Sequence, residues 1–155
     1  MVELETASAA EDHGRVDATV KTLKEDFSRI QVVRNDIARD LVARKPLDYK
    51  LVMHQTLEIN KRSRELKSYL MFRGTVEKKD GETLTSDEMV GALVRLCKLI
   101  DRFTENPVLK SAAIVDVNDV ENLKEHRTQA ERDLLRIIKL SEIIQFETAR
   151  MKGSH

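Results

Sequence analysis

Four separate stretches of this 155-residue chain repeat apolar residues at alternating spacings of three and four, with turn chemistry between them. That spacing stacks side chains on one face of an α-helix, whereas a half-buried strand needs strict alternation. The expected fold is therefore all-α: an antiparallel up-down four-helix bundle with coiled-coil-like heptad packing. A content of 35% charged and 4% aromatic residues, with no Trp and only two Pro, fits long amphipathic helices and disfavours a sheet.

The first helix is expected over about 10–43, along the seam Val16, Val20, Leu23, Phe27, Ile30, Arg34, Ile37 and Leu41. Pro46 lacks an amide donor and pushes Lys45 out of the helical region, so a second helix is expected over 47–73, with Val52, Thr56, Ile59, Ser63, Leu66 and Leu70 inward. So short a link implies antiparallel neighbours. Thr56 and Ser63 would let a partner helix approach closely or would need hydrogen-bond partners. Residues 74–85 read as a loop around Asp80-Gly81.

Thr85 and Glu88 form a capping box for a third helix over 86–105, with Met89, Leu93, Leu96, Ile100 and Phe103 on its seam, and Asn106-Pro107 stops it. The apolar segment 107–116 is expected as a short extra helix or a crossover. Asn118 and Glu121 cap a fourth helix over 118–151, which continues through Arg127, Ala130, Leu134, Ile137, Ser141, Ile144 and Thr148. In this scheme helices one and four are long and outer, and two and three are shorter and central. Residues 1–152 make one domain, and Gly153, Ser154 and His155 read as a linker or tag remnant.

Several function classes lose support. Basic and acidic residues balance at 27 each, so no global field draws the chain to nucleic acid or an anionic membrane. No apolar stretch approaches the roughly 18 residues of a membrane span, and the first residues lack a signal-peptide pattern, which gives a cytoplasmic expectation for the sequence as written. The single Cys97 sits in an apolar run and reads as a small buried hydrophobe. Glu-x-x-His pairs for a di-metal bundle are missing, the five glycines form no phosphate loop or nucleophile elbow, and no haem-attachment motif occurs. The expectation is no enzyme, no cofactor and no metal.

Three surfaces stand out against this background. Helices three and four carry more apolar residues than a bundle face needs, which makes Val90, Val94, Leu135, Ile138 and Ile143 candidate interface residues for a dimer or a protein partner. Arg34 and Arg127 fall on seam positions, where a guanidinium needs a carboxylate, an anionic small molecule or a path to water. Asp36, Glu58 and Glu131 are candidate acids for them. Lys61, Arg62, Arg64 and Lys67 form a basic docking face on helix two. The expected function is a non-enzymatic, self-associating protein-interaction or assembly module acting through helices three and four. A ligand-sensing bundle, such as the soluble part of a receptor, comes second, and weak unspecific nucleic-acid binding through helix two third.

Overall fold

The computed structural model describes residues 2–76, 84–110 and 120–153, with side chains left undescribed at 2–17, 19, 110, 120, 121, 152 and 153. It contains five helices among the described residues, which corrects the expected four: α1 Val2–Val42, α2 Tyr49–Tyr69, α3 Ser86–Thr104, α4 Pro107–Lys110 and α5 Val120–Gly153. The additional helix is the short α4. Asn106 makes it, because its side-chain oxygen accepts from Val108 N–H at 2.9 Å while Pro107 occupies the first helical position, where a missing donor costs nothing. The Asn106 amide also donates to the His126 carbonyl at 2.9 Å and so ties α4 to the start of α5. Residues 111–119, including the expected cap Asn118, lie outside the described residues, as do 77–83 of the expected loop.

Local chemistry accounts for the helix ends. Asp48 caps α2 by accepting from Leu51 N–H, and Thr85 caps α3 by accepting from Glu88 N–H. The end of α2 comes earlier than Gly74. Met71 adopts a left-handed conformation at φ 59°, and Phe72 N–H reaches back to the Lys67 carbonyl while Met71 N–H reaches Ser68. This is a Schellman motif built without glycine. It turns Phe72 into the core at only 6% exposure.

Helix directions follow from the residue pairs that meet. Asp26 and Arg29 of α1 meet Arg62 and Glu58 of α2, and Phe27 and Arg34 meet Phe103 and Cys97 of α3. Both pairings are antiparallel. On α5, Ser141 and Arg127 meet Asn60 midway along α2 and Leu70 at its end, and Asp133 and His126 meet Arg102 and Asn106 at the end of α3, again antiparallel. Hence α2 and α3 run parallel, on opposite corners of the bundle, and the up-down order is corrected at this step. The 16 residues that separate α2 from α3 are enough to span the bundle lengthwise, because extended backbone reaches about 3.3 Å per residue. Helices α1 and α5 are indeed the long ones, but they occupy the other diagonal and no helix is central.

The coiled-coil description is corrected for the same reason. On α5 the buried set includes Ala130, Leu134, Ile137, Ser141, Ile144 and Thr148, but also Asp133, Leu140 and Glu147. Two flanking helices, α2 and α3, require that wider arc, whereas a two-stranded seam covers only two positions in seven. Three buried acids, Asp26 on α1 and Asp133 and Glu147 on α5, pair with Arg62, Arg102 and Arg150, whose heads are partly in water. Between α2 and α5, Asn60 donates to the Ile138 carbonyl and to Ser141 Oγ at 2.9 and 3.1 Å. Small neighbours at Ser63, Ala130 and Ser141 permit that close approach.

Candidate functional site

The most distinctive surface lies between α3 and α5. Arg95, Lys98, Leu99 and Arg102 recur at three-four spacing on α3, and Arg132, Leu135, Arg136, Lys139, Leu140 and Ile143 do so on α5. Each set forms a stripe on its helix, and antiparallel packing brings the two stripes face to face. They line a groove of about 890 Å³, with Thr75 at one end. Leu99 and Leu140 are 9% exposed and make its apolar floor, while Leu135 and Ile143 are half-buried in its wall. Six cationic side chains line the groove, and none of its described lining residues is acidic. Opposed like charges over a low-dielectric floor focus a positive potential that favours anionic groups.

Asp133 fixes one of these cations from below. Its carboxylate is wholly buried and accepts from Arg102 Nε and Nη2 at 3.0 and 2.8 Å and from Gln129 Nε2 at 2.9 Å. The Arg102 side chain remains 52% exposed and spans from this buried anion to the groove. The loop after α2 meets the same helix: Gly74 N–H donates to Glu131 at 2.8 Å, and a Cβ built on Gly74 would stand 2.7 Å from Leu135.

The structure divides the candidate interface residues. Leu135 and Ile143 line the groove. Val90 and Val94 are 44% and 38% exposed, but stand on the flank of α3 that carries Cys97 and Asp101 towards α1. Ile138 is fully buried, beneath the Asn60 contact with α2, so its assignment to an exposed stripe is corrected. The excess apolar surface of α5 is in part the face owed to its second neighbour. Phe146, outside the candidate set, is 68% exposed.

Arg34 and Arg127 are not brought together. Arg34 donates to Asp101 at 2.7 Å, and the thiol of Cys97 reaches the Arg34 carbonyl at 3.9 Å. Burial, the largest influence, pushes the Cys97 thiol up in pKa, consistent with an unreactive core position. Arg127 donates to the Leu70 carbonyl at 2.8 Å and stacks over Phe72 at 5.1 Å. Both guanidinium groups therefore serve internal contacts. Of the candidate acids, Asp36 lies 3.5 Å from Arg39, Glu58 binds Arg29 and Arg62, and Glu131 accepts from Gly74.

The basic run on α2 is largely neutralised. Arg62 bridges the buried Asp26 and Glu58, and Arg64 joins Asn60 to Glu142. Lys61 is exposed and Lys67 half-buried. Hydrogen bonding from Arg29, reinforced by Arg62, holds the Glu58 carboxyl below its usual range. The neighbouring Asp26 carboxylate, first through hydrogen bonding, raises that of Glu65. Arg29 is raised in turn by Glu58.

Among the described residues, no three His, Cys, Asp or Glu side chains cluster as a metal site, and no helix is long and apolar enough to cross a membrane. His54 is exposed and His126 half-buried. Compared with protein-family models, curated proteins and solved structures, the chain matches none. The groove was missed in the sequence because its cations are dispersed over two helices. The signals were present as Arg95, Lys98 and Arg102 and as Arg132, Arg136 and Lys139, all at helical spacing.

Proposed function

We propose that this domain is a non-enzymatic docking and assembly module, which takes an acidic, amphipathic protein segment into the groove between α3 and α5. The observation that carries this reading is the set of six cations over an apolar floor with no acid in the described lining. A helix or extended peptide can place carboxylates on the rim while its apolar side chains meet Leu99, Leu140 and Ile143. From 132 to 143 the α5 stripe runs about 16 Å, or roughly three helical turns. Nucleic acid is the weaker fit because no aromatic residue lines the groove to stack on bases. Ligand sensing at Arg34 and Arg127 is weaker still, since both are engaged within the fold.

The test is fluorescence anisotropy with three labelled probes of matched charge: a helical peptide alternating glutamate and leucine faces, a polyglutamate peptide and a DNA duplex. The proposal expects the amphipathic peptide to bind tightest, with affinity lost in Arg95→Glu/Arg136→Glu. Tighter binding of duplex, or peptide binding that ignores the substitutions, overturns it.

A further inference from the structure

The cations of the groove do not run its whole length. Arg132, Arg136 and Lys139 occupy about 10 Å of α5, and the Arg102–Asp133 contact sets an antiparallel register in which Arg95, the last cation of α3 in that direction, falls opposite about residue 140. Beyond that level the α5 stripe continues as Ile143 and Phe146. Phe146 stands three residues past Ile143 and seven past Lys139, which keeps it on the same helix face. On α3 the facing stripe reaches Gly91, four residues before Arg95 and opposite about residue 144. The groove thus has a cationic part and an apolar end.

The fold of the single chain accounts for neither residue at that end. Phe27, Phe72 and Phe103 lie in or against the core, whereas Phe146 is 68% exposed and forgoes the burial that its ring could contribute. Gly91 is exposed inside α3, where glycine is the poorest helix former after proline. A close approach to the backbone would justify a glycine, yet a Cβ built on Gly91 meets no atom within 4 Å. Glu88, seven residues before Arg95 on the same stripe, is exposed and acidic, and it weakens the positive field at this end.

We infer that Phe146 and Gly91 form the seat for an aromatic side chain of the docked segment, placed about two helical turns beyond that segment's last acid. The inference rests on the docking reading and specifies its partner. Charge sets the segment lengthwise: its carboxylates lie among the six cations, and Glu88 turns them away from the apolar end. Seven residues of helix, about 10 Å, separate Lys139 from Phe146, and a helical partner matches that distance with seven residues of its own. An aromatic ring at that position packs on Phe146 and takes the space over Gly91, where no side chain of α3 holds it off. The partner is therefore an acidic helix with one aromatic anchor at a set spacing, not an acidic segment of any pattern.

The experiment uses the full chain and two labelled helical peptides of identical composition, each with its glutamates spread over two turns. One carries its phenylalanine seven residues past the last glutamate, and the other carries it among the glutamates. Fluorescence anisotropy is expected to show the first binding the wild type about tenfold tighter. With Phe146→Ala the first peptide is expected to fall to the affinity of the second. Gly91→Leu, which fills the space, is expected to remove the preference as well and to raise the melting temperature, since leucine is the better helix former. Equal affinities for the wild type, or a preference that survives either substitution, overturn the inference while the docking reading stands. So does a Phe146→Ala chain that loses affinity for both peptides alike. A melting temperature lowered by Gly91→Leu overturns it because the glycine then serves the fold. Dimerisation of the chain alone, abolished by Phe146→Ala in analytical ultracentrifugation, overturns it because a second copy then covers the ring. Binding of neither peptide overturns the docking reading together with it.

Discussion

The Arg102–Asp133 pair predicts an asymmetry that pairwise counting of salt bridges would miss. Removing the arginine leaves a carboxylate at 0% exposure with only the Gln129 amide, and its second oxygen has no hydrogen-bond partner even in the native protein. An uncompensated buried charge costs about 3–5 kcal/mol, so Arg102→Ala is expected to fall in that range. Removing the acid is different. Arg102 is half-exposed and can turn its head into water, while a leucine at 133 fills the buried volume without desolvating a charge. Asp133→Leu is expected to lie between a loss of about 1 kcal/mol and a gain of about 2 kcal/mol. Urea unfolding followed by circular dichroism resolves the two. With a slope of about 2 kcal/mol/M, Arg102→Ala should lower the midpoint by about 1.5–2.5 M. The double variant should recover most of that loss, because the stranded charge is gone. Equal costs for the two single variants, or a double variant no better than Arg102→Ala, would refute the reasoning.

Three further outcomes follow from individual residues. Met71→Gly relieves a left-handed residue at φ 59° that is 68% exposed, and should raise the unfolding free energy by about 0.5–1 kcal/mol by denaturant titration. Glu58 has a folded pKa lowered by Arg29 and Arg62, so its contribution is present above the unfolded value and is lost as pH falls through the folded one. Glu58→Gln should therefore flatten the acid limb of a stability-versus-pH curve, by under about 1 kcal/mol for so exposed a pair. Glu65 has the opposite sign: its pKa is raised beside Asp26, so the folded state binds more protons and stability falls as pH rises from the unfolded value through the folded one. Glu65→Gln should remove that decline and gain stability at neutral pH. A loss at pH 7 relative to pH 4, compared with wild type, would count against the influence of Asp26 on Glu65.

What the sequence made legible was set by range. Pro46, Asp48, Thr85 and Pro107 act within a few residues of themselves, and each starts or stops a helix about where its own chemistry dictates. Met71 acts as locally but carries no sign in its side chain. Its left-handed turn is imposed by Phe72 entering the core, which tertiary contact decides. Direction proved harder than helicity, because a link as long as 70–85 permits either a turn-back or a traverse. The pattern of apolar residues is the same in both.

The same limit hid the groove, and it shows why net charge is a poor guide to binding in helical proteins. A run such as Lys61–Lys67 is conspicuous because its charges are neighbours in sequence, yet Arg62 and Arg64 spend theirs on Asp26, Glu58 and Glu142. Arg95, Lys98 and Arg102 are three and four residues apart, as are Arg132, Arg136 and Lys139, and acids interrupt both stretches in the linear chain. Folding sorts them: Asp101 turns towards α1 and Arg34, Asp133 turns beneath the surface, and the six cations remain on the two facing stripes. The field over the groove is thus created by helical rotation and antiparallel register. Asp133→Leu should make that field more positive, as it removes a buried counter-charge, and so should tighten binding of the amphipathic acidic peptide while Arg102→Ala weakens it. If both substitutions change affinity in the same direction, the groove does not act through its charge.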